Sequence, residues 1–127
     1  MAKKTISTDA APAAIGPYSQ AVVHGDTVYI SGQIPLEPTT MELVSNNIDQ
    51  QIEQVFKNLS AICKAAGGSL NDVVKFNVYL IDLDHFSLIN SAMEELLEQP
   101  YPARAAVQVA ALPRNAQVEI EAIMANG

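Results

Sequence analysis

The sequence has few of the residues that usually announce chemistry. It holds one cysteine, Cys63, in 127 residues. A single thiol excludes an intrachain disulfide and any zinc site built from several cysteines, and it suits a reducing cytosol. Lysine and arginine number 7 against 14 acidic residues, a net charge of −7, and the only arginines are Arg104 and Arg114. A nucleic-acid binder needs a basic face to neutralise phosphates, and an anionic membrane surface makes a similar demand. The charge balance argues against both partners. Two histidines, His24 and His85, with one cysteine are too few for a dedicated zinc site, and both are expected to be solvated. No apolar run approaches the roughly 18 residues of a membrane span, and the start of the chain has no apolar signal core. The expectation is a soluble, cytoplasmic protein. Phosphate-loop, dinucleotide, metalloprotease-helix and nucleophile-elbow motifs are all missing.

What is present is apolar. Hydrophobic residues make up 49% of the chain and charged residues 17%. For a small acidic protein this places apolar side chains at the surface or at a subunit interface. The length fits one domain spanning 1–127, on a prior of about 100–200 residues per domain.

Turn chemistry divides the chain. Ser19–Val23 and Thr27–Ser31 read as strands joined at His24-Gly25-Asp26, where glycine supplies a positive φ. Residues 35–47 read as a loop. From Ile48, apolar residues at Ile52, Val55, Phe56, Leu59, Ile62, Cys63 and Ala66 trace one face of a helix that Gly67-Gly68 ends. Cys63 lies on that stripe and reads as a small buried hydrophobe. In Val73–Ile81, alternation puts Val74, Phe76, Val78 and Leu80 on one face, with Val73, Lys75, Asn77 and Tyr79 on the other. Asp84 is placed to cap a second helix running to about Glu98, with Phe86, Ile89, Met93 and Leu97 inward. Two strands follow, at about Ala105–Ala110 and Gln117–Ala125, and a further short one is possible at Lys4–Ser7. The order implies one mixed sheet with both helices on one face, leaving the other face to be covered by further subunits.

Arg104 begins an apolar strand and has no acidic residue within five positions. Such an arginine stays wet, pairs with a remote carboxylate, or serves as a fork for a ligand carboxylate. Glu119 alternates with Glu121 and Ile123 opposite Val118, Ile120, Ala122 and Met124. It is an ordinary solvent-face acid unless a partner covers it, when it becomes a candidate proton handler. On the two closing strands, Arg104 and Glu119 are placed to meet in a hairpin pair.

Three blocks carry a family resemblance: Ala11-Pro12-Ala13-Ala14-Ile15-Gly16-Pro17-Tyr18-Ser19-Gln20-Ala21; Ile30-Ser31-Gly32-Gln33-Ile34-Pro35; and Pro102-Ala103-Arg104-Ala105-Ala106-Val107 through Pro113, closing with Val118-Glu119-Ile120-Glu121. Together they resemble the RidA (YjgF-type) reactive-intermediate deaminases over essentially the whole chain. The resemblance implies an α+β, chorismate-mutase-like fold and a homotrimer with sites in clefts between subunits. It implies hydrolysis of 2-imino acids, such as 2-iminobutanoate and 2-iminopropanoate, to 2-oxo acids and ammonia, with no metal or cofactor. It assigns carboxylate binding to Arg104 and water positioning to Glu119. It implies further substrate contacts from Ser31, the Gly32 amide, Tyr18 and Asn90. Many relatives have cysteine where this chain has Ala106. Arg114 is expected to be freely replaceable. The competing readings are a non-catalytic small-ligand sensor or a holdase chaperone on the same scaffold, and a ribonuclease, which the acid excess disfavours.

Overall fold

The computed structural model describes residues 2–126, so the two end positions of the expected 1–127 domain, Met1 and Gly127, lie outside it. Six strands form one sheet: β1 (Lys4–Ile6), β2 (Ala21–His24), β3 (Thr27–Gln33), β4 (Val73–Leu80), β5 (Ala103–Gln108) and β6 (Val118–Ala125). Two helices, α1 (Ile48–Ala65) and α2 (Phe86–Leu96), pack on one face. The expected α+β arrangement of a mixed sheet with two helices is what the chain adopts.

Local chemistry sets the boundaries. The β2–β3 hairpin turns at Gly25, whose φ is 61°, with His24 paired to Thr27. Asn47 caps α1 by accepting from the Gln50 amide at 3.0 Å. Gly67 (φ 92°) ends it: its amide reaches the Lys64 carbonyl while the Gly68 amide reaches that of Cys63. That double closure satisfies carbonyls the helix leaves unbonded. Asp82, not Asp84, starts the second helical segment. It accepts from the Asp84 amide and caps a tight turn at Leu83–His85, from which α2 continues.

The core lies between the helices and the sheet. Phe56 of α1 meets Phe76 of β4 edge-to-face at 5.8 Å, a favourable aromatic geometry. Val118, Ile120, Ala122 and Met124 line the covered face of β6. One expectation on β4 is reversed: Val73 is buried and Val74 is 49% exposed. A bulge between Val73 and Lys75 shifts the register against β6, and one extra residue moves every side chain before it to the opposite face.

The strand order is β1-β2-β3-β6-β4-β5. β5 pairs parallel to β4, because α2 crosses over between them, and β6 enters between β3 and β4. The closing strands are therefore not a hairpin. β4 separates them.

Candidate functional site

The sheet order divides the predicted site residues into two groups. In register, Arg104 sits beside Phe76, whereas Glu119 sits beside Tyr79. Phe76 faces the helices and Tyr79 the uncovered face, so Arg104 and Glu119 project from opposite faces of one chain. The expected pairing of the two within a hairpin fails for this reason.

Arg104 stands on the helix side at the β5 edge. Its Nη1 donates to Asn90 Oδ1 at 2.5 Å and approaches Met93 Sδ at 3.5 Å. Its guanidinium carbon lies 4.5 Å from the Phe86 ring centroid, within cation–π range. Phe86, Asn90 and Met93 are spaced as one stripe of α2, which meets a β5 side chain because the parallel crossover lays the helix along that strand. Among the described residues no carboxylate pairs with Arg104, and Nη1 alone of its donors is engaged. The rest of the fork faces a cleft of about 330 Å³ that Tyr101, Pro102 and Glu94 also line. Ala106, two residues on, packs against the core from the same face.

The second group gathers where β3 meets the N-terminal segment. Gln20 is buried and holds that segment: its Oε1 accepts from the Thr8 amide at 2.7 Å, and its Nε2 donates to the Pro12 carbonyl at 2.7 Å. Tyr18, 52% exposed, lines one cleft with Ser31 and another with Gly32. The Ser31 hydroxyl donates to the Ser19 carbonyl at 2.6 Å. Its oxygen retains acceptor capacity. Gly32 is the point of closest approach: a Cβ there would overlap Glu119 Oε2. The absent side chain is what lets the Glu119 carboxylate rest against the β3 backbone.

Desolvation by burial, and then the negative charge of Glu121, push the Glu119 carboxyl above its ordinary value. The Tyr79 hydroxyl donates to Glu121 Oε1, and this bond, with burial and the two nearby acids, pushes its own pKa up to about 12. An acid of raised proton affinity, flanked by a hydroxyl and a backbone edge, can hold a water and exchange a proton with it.

Other expectations fare unevenly. Cys63 is buried, and burial pushes its pKa up to about 11, which suppresses the thiolate. His24 is exposed as expected, but His85 is only partly exposed, and its Nδ1 is enclosed without a partner among the described residues. Sequence reading missed Gln20 and Asn58 as organisers, because a polar side chain within a strand or helix reads as surface. Asn58 is fully buried, and its Nδ2 donates to the Leu36 carbonyl at 3.0 Å, fastening the loop after β3 to α1.

A family model described as Endoribonuclease L-PSP matches residues 8–126. The chain belongs to that family, the RidA/YjgF proteins. A mouse relative named 2-iminobutanoate/2-iminopropanoate deaminase is 50% identical over 98% of this chain and 93% of its own length. The crystal structure of RidA from an Antarctic Psychrobacter is 61% identical, with a TM-score of 0.92, covering 96% of this chain and 98% of that one. Escherichia coli TdcF, solved with bound serine, is 41% identical with a TM-score of 0.89, covering 98% and 99%. No helix among the described residues is long and apolar enough to cross a membrane.

Proposed function

We propose that this RidA-family protein is a cytoplasmic enzyme that hydrolyses reactive 2-imino acids, 2-iminobutanoate and 2-iminopropanoate among them, to 2-oxo acids and ammonia. The observation that carries the reading is Arg104: a guanidinium braced by Asn90 and Phe86, unpaired with any carboxylate among the described residues, its remaining donors turned to a cleft. In a chain of net charge −7, an anionic substrate needs such a local positive point.

Because Arg104 and Glu119 lie on opposite faces of one chain, the site closes between copies. In the proposed homotrimer, one subunit supplies Arg104 and Asn90 to its neighbour's Tyr18, Ser31, Gly32 and Glu119. The fork of Arg104 takes the substrate carboxylate in two-point geometry. Ser31 and the Gly32 amide fix the reacting end, and Tyr18 walls it. Water held by Glu119 adds to the C=N carbon, giving a carbinolamine. Glu119 passes a proton to the nitrogen, the C–N bond breaks, and ammonia leaves as the C=O bond forms. The imine carbon is already electrophilic, so orientation supplies most of what the reaction needs.

The test couples the protein to a threonine dehydratase and follows 2-oxobutanoate release. Wild type accelerates release over buffer and Arg104→Ala does not. Mixing Arg104→Ala with Glu119→Gln subunits restores part of the activity, because a mixed oligomer contains some intact composite sites. No acceleration by wild type sinks the enzyme, and no recovery on mixing sinks the shared site. The family description as an endoribonuclease is tested alongside by RNA cleavage, which the acid excess disfavours.

A further inference from the structure

Arg114 is not the idle surface residue that its position in the sequence implies. Its Nη2 donates to the Met41 carbonyl at 3.1 Å, across 73 positions of chain. Both ends of this bond are left-handed: φ is 60° at Met41 and 61° at Arg114, followed by 59° at Asn115. Residues other than glycine seldom adopt this region, and they persist there when surrounding contacts over-determine them. With the two bends in place, the guanidinium lies against the Met41 carbonyl.

The contact borders a cleft of about 230 Å³. Arg114 and Met41 line it, Ile15 and Leu36 contribute apolar wall, Gln20 and Gln33 add amides, and Tyr18 and Gly32 are shared with the candidate site. The chain carries 14 acidic residues, yet none lines this cleft among the described residues. Arg114 forms no ion pair among them either, so its Nη1 and Nε remain for a ligand. A cleft that shares Tyr18 and Gly32 with the candidate site, and has both apolar wall and a guanidinium without an ion pair in its lining, matches a substrate side chain that ends in an anion.

We propose that this cleft is the side-chain subsite of the imine site, and that Arg114 receives a second carboxylate within it. The substrate class it selects is the 2-imino acids with acidic side chains. Arg104 and Arg114, the two arginines of the chain, then hold the two ends of one dianion. This rests on the function proposed above for Tyr18, Gly32 and Arg104, but it is testable without turnover.

The stable products serve as probes. By chemical-shift titration, wild type binds 2-oxoglutarate about tenfold more tightly than 2-oxobutanoate, the scale of one charge-assisted hydrogen-bonded contact. Arg114→Gln loses that preference, and Arg114→Lys keeps part of it as a point charge. Arg114→Gly accepts a φ of 61° without strain, so it removes the charge without disturbing the turn, and it also loses the preference. With imines generated in place by an amino-acid oxidase, Arg114→Gln lowers kcat/KM for the glutamate imine at least tenfold more than for 2-iminobutanoate, through KM. Equal binding of the two oxo acids by wild type overturns the proposal, as does a preference that survives in Arg114→Gly. If no imine is hydrolysed yet the preference is present and Arg114-dependent, the subsite stands and the hydrolase reading falls. If imines are hydrolysed with no preference, the subsite alone falls.

Discussion

On the face of the sheet that the helices cover, Val118, Ile120, Ala122 and Met124 of β6 are at most 3% exposed. One residue away along the same strand, Glu119, Glu121 and Ile123 are only partly buried at the uncovered face. The covered face holds the Phe56–Phe76 contact and the stripe of α1. The uncovered face holds two acids, a hydroxyl bonded to one of them, and 51%-exposed Tyr29. A strand alternating between the two environments places the core on one side and titratable side chains on the other, two residues per repeat. Arg104 is the exception. It projects on the covered side, at the β5 edge where α2 ends the cover, and is braced there without being enclosed.

Four experiments would break or sharpen this contrast. The largest effect is expected on the covered side: Phe76→Ala empties the centre of the core and costs about 3–5 kcal/mol in urea unfolding. A loss below about 1 kcal/mol would mean the helices do not carry the fold. Gly32→Ala acts on the other side. The new Cβ displaces the free end of Glu119, so imine hydrolysis falls about a hundredfold while unfolding moves by no more than about 0.5 kcal/mol. Unchanged turnover in that variant would detach Glu119 from the chemistry. Asn58→Ala asks whether a polar group on the covered side matters as much as an apolar one. It leaves the Leu36 carbonyl without its donor, at about 1–3 kcal/mol of stability, read by thermal or urea melts.

The smallest effect is a dependence on pH. The Glu119 carboxyl is raised in the folded protein. Between its ordinary value and the raised one, the folded chain keeps a proton that the unfolded chain has lost. Stability from this group is therefore greatest below the ordinary carboxylate range and declines as pH rises through the window. Glu119→Gln removes that slope, with a gain at neutral pH within about 0.5 kcal/mol, since solvent screens a half-exposed pair. Parallel melting curves for wild type and variant across pH 4–7 would contradict the assignment.

The elements were legible because their signals are local. The apolar stripe from Ile48 to Ala66 predicts α1, and a Gly-Asp step predicts the first hairpin. Alternation predicts which residues of β6 face the helices. Where the signal runs beyond a few residues, the reading slips. Val73 and Val74 exchange faces because a bulge is a property of two strands in register, invisible in one. Asn58 and Gln20 look solvated because their partners, the Leu36 and Pro12 carbonyls, are brought to them only by folding. Asn90 was identified by resemblance, and the bond it makes to Arg104 could not be read from position, since α2 meets β5 only through the crossover.

What the sequence alone determined, then, is the α+β class, the two sheet faces, the chemical character of Arg104 and Glu119, and membership of the RidA/YjgF family through its three motif blocks. Periodicity and residue chemistry suffice for those, because each is set within one segment. The tertiary structure decided which residues can act together. By pairing β4 with both closing strands, with Arg104 in register with Phe76 and Glu119 with Tyr79, it put the two side chains on opposite faces. By bending two loops into left-handed turns it brought Arg114, which nothing local distinguishes, to a cleft that Gly32 also lines. Strand order and loop closure depend on contacts between distant segments, and those contacts exist only once the whole chain has packed.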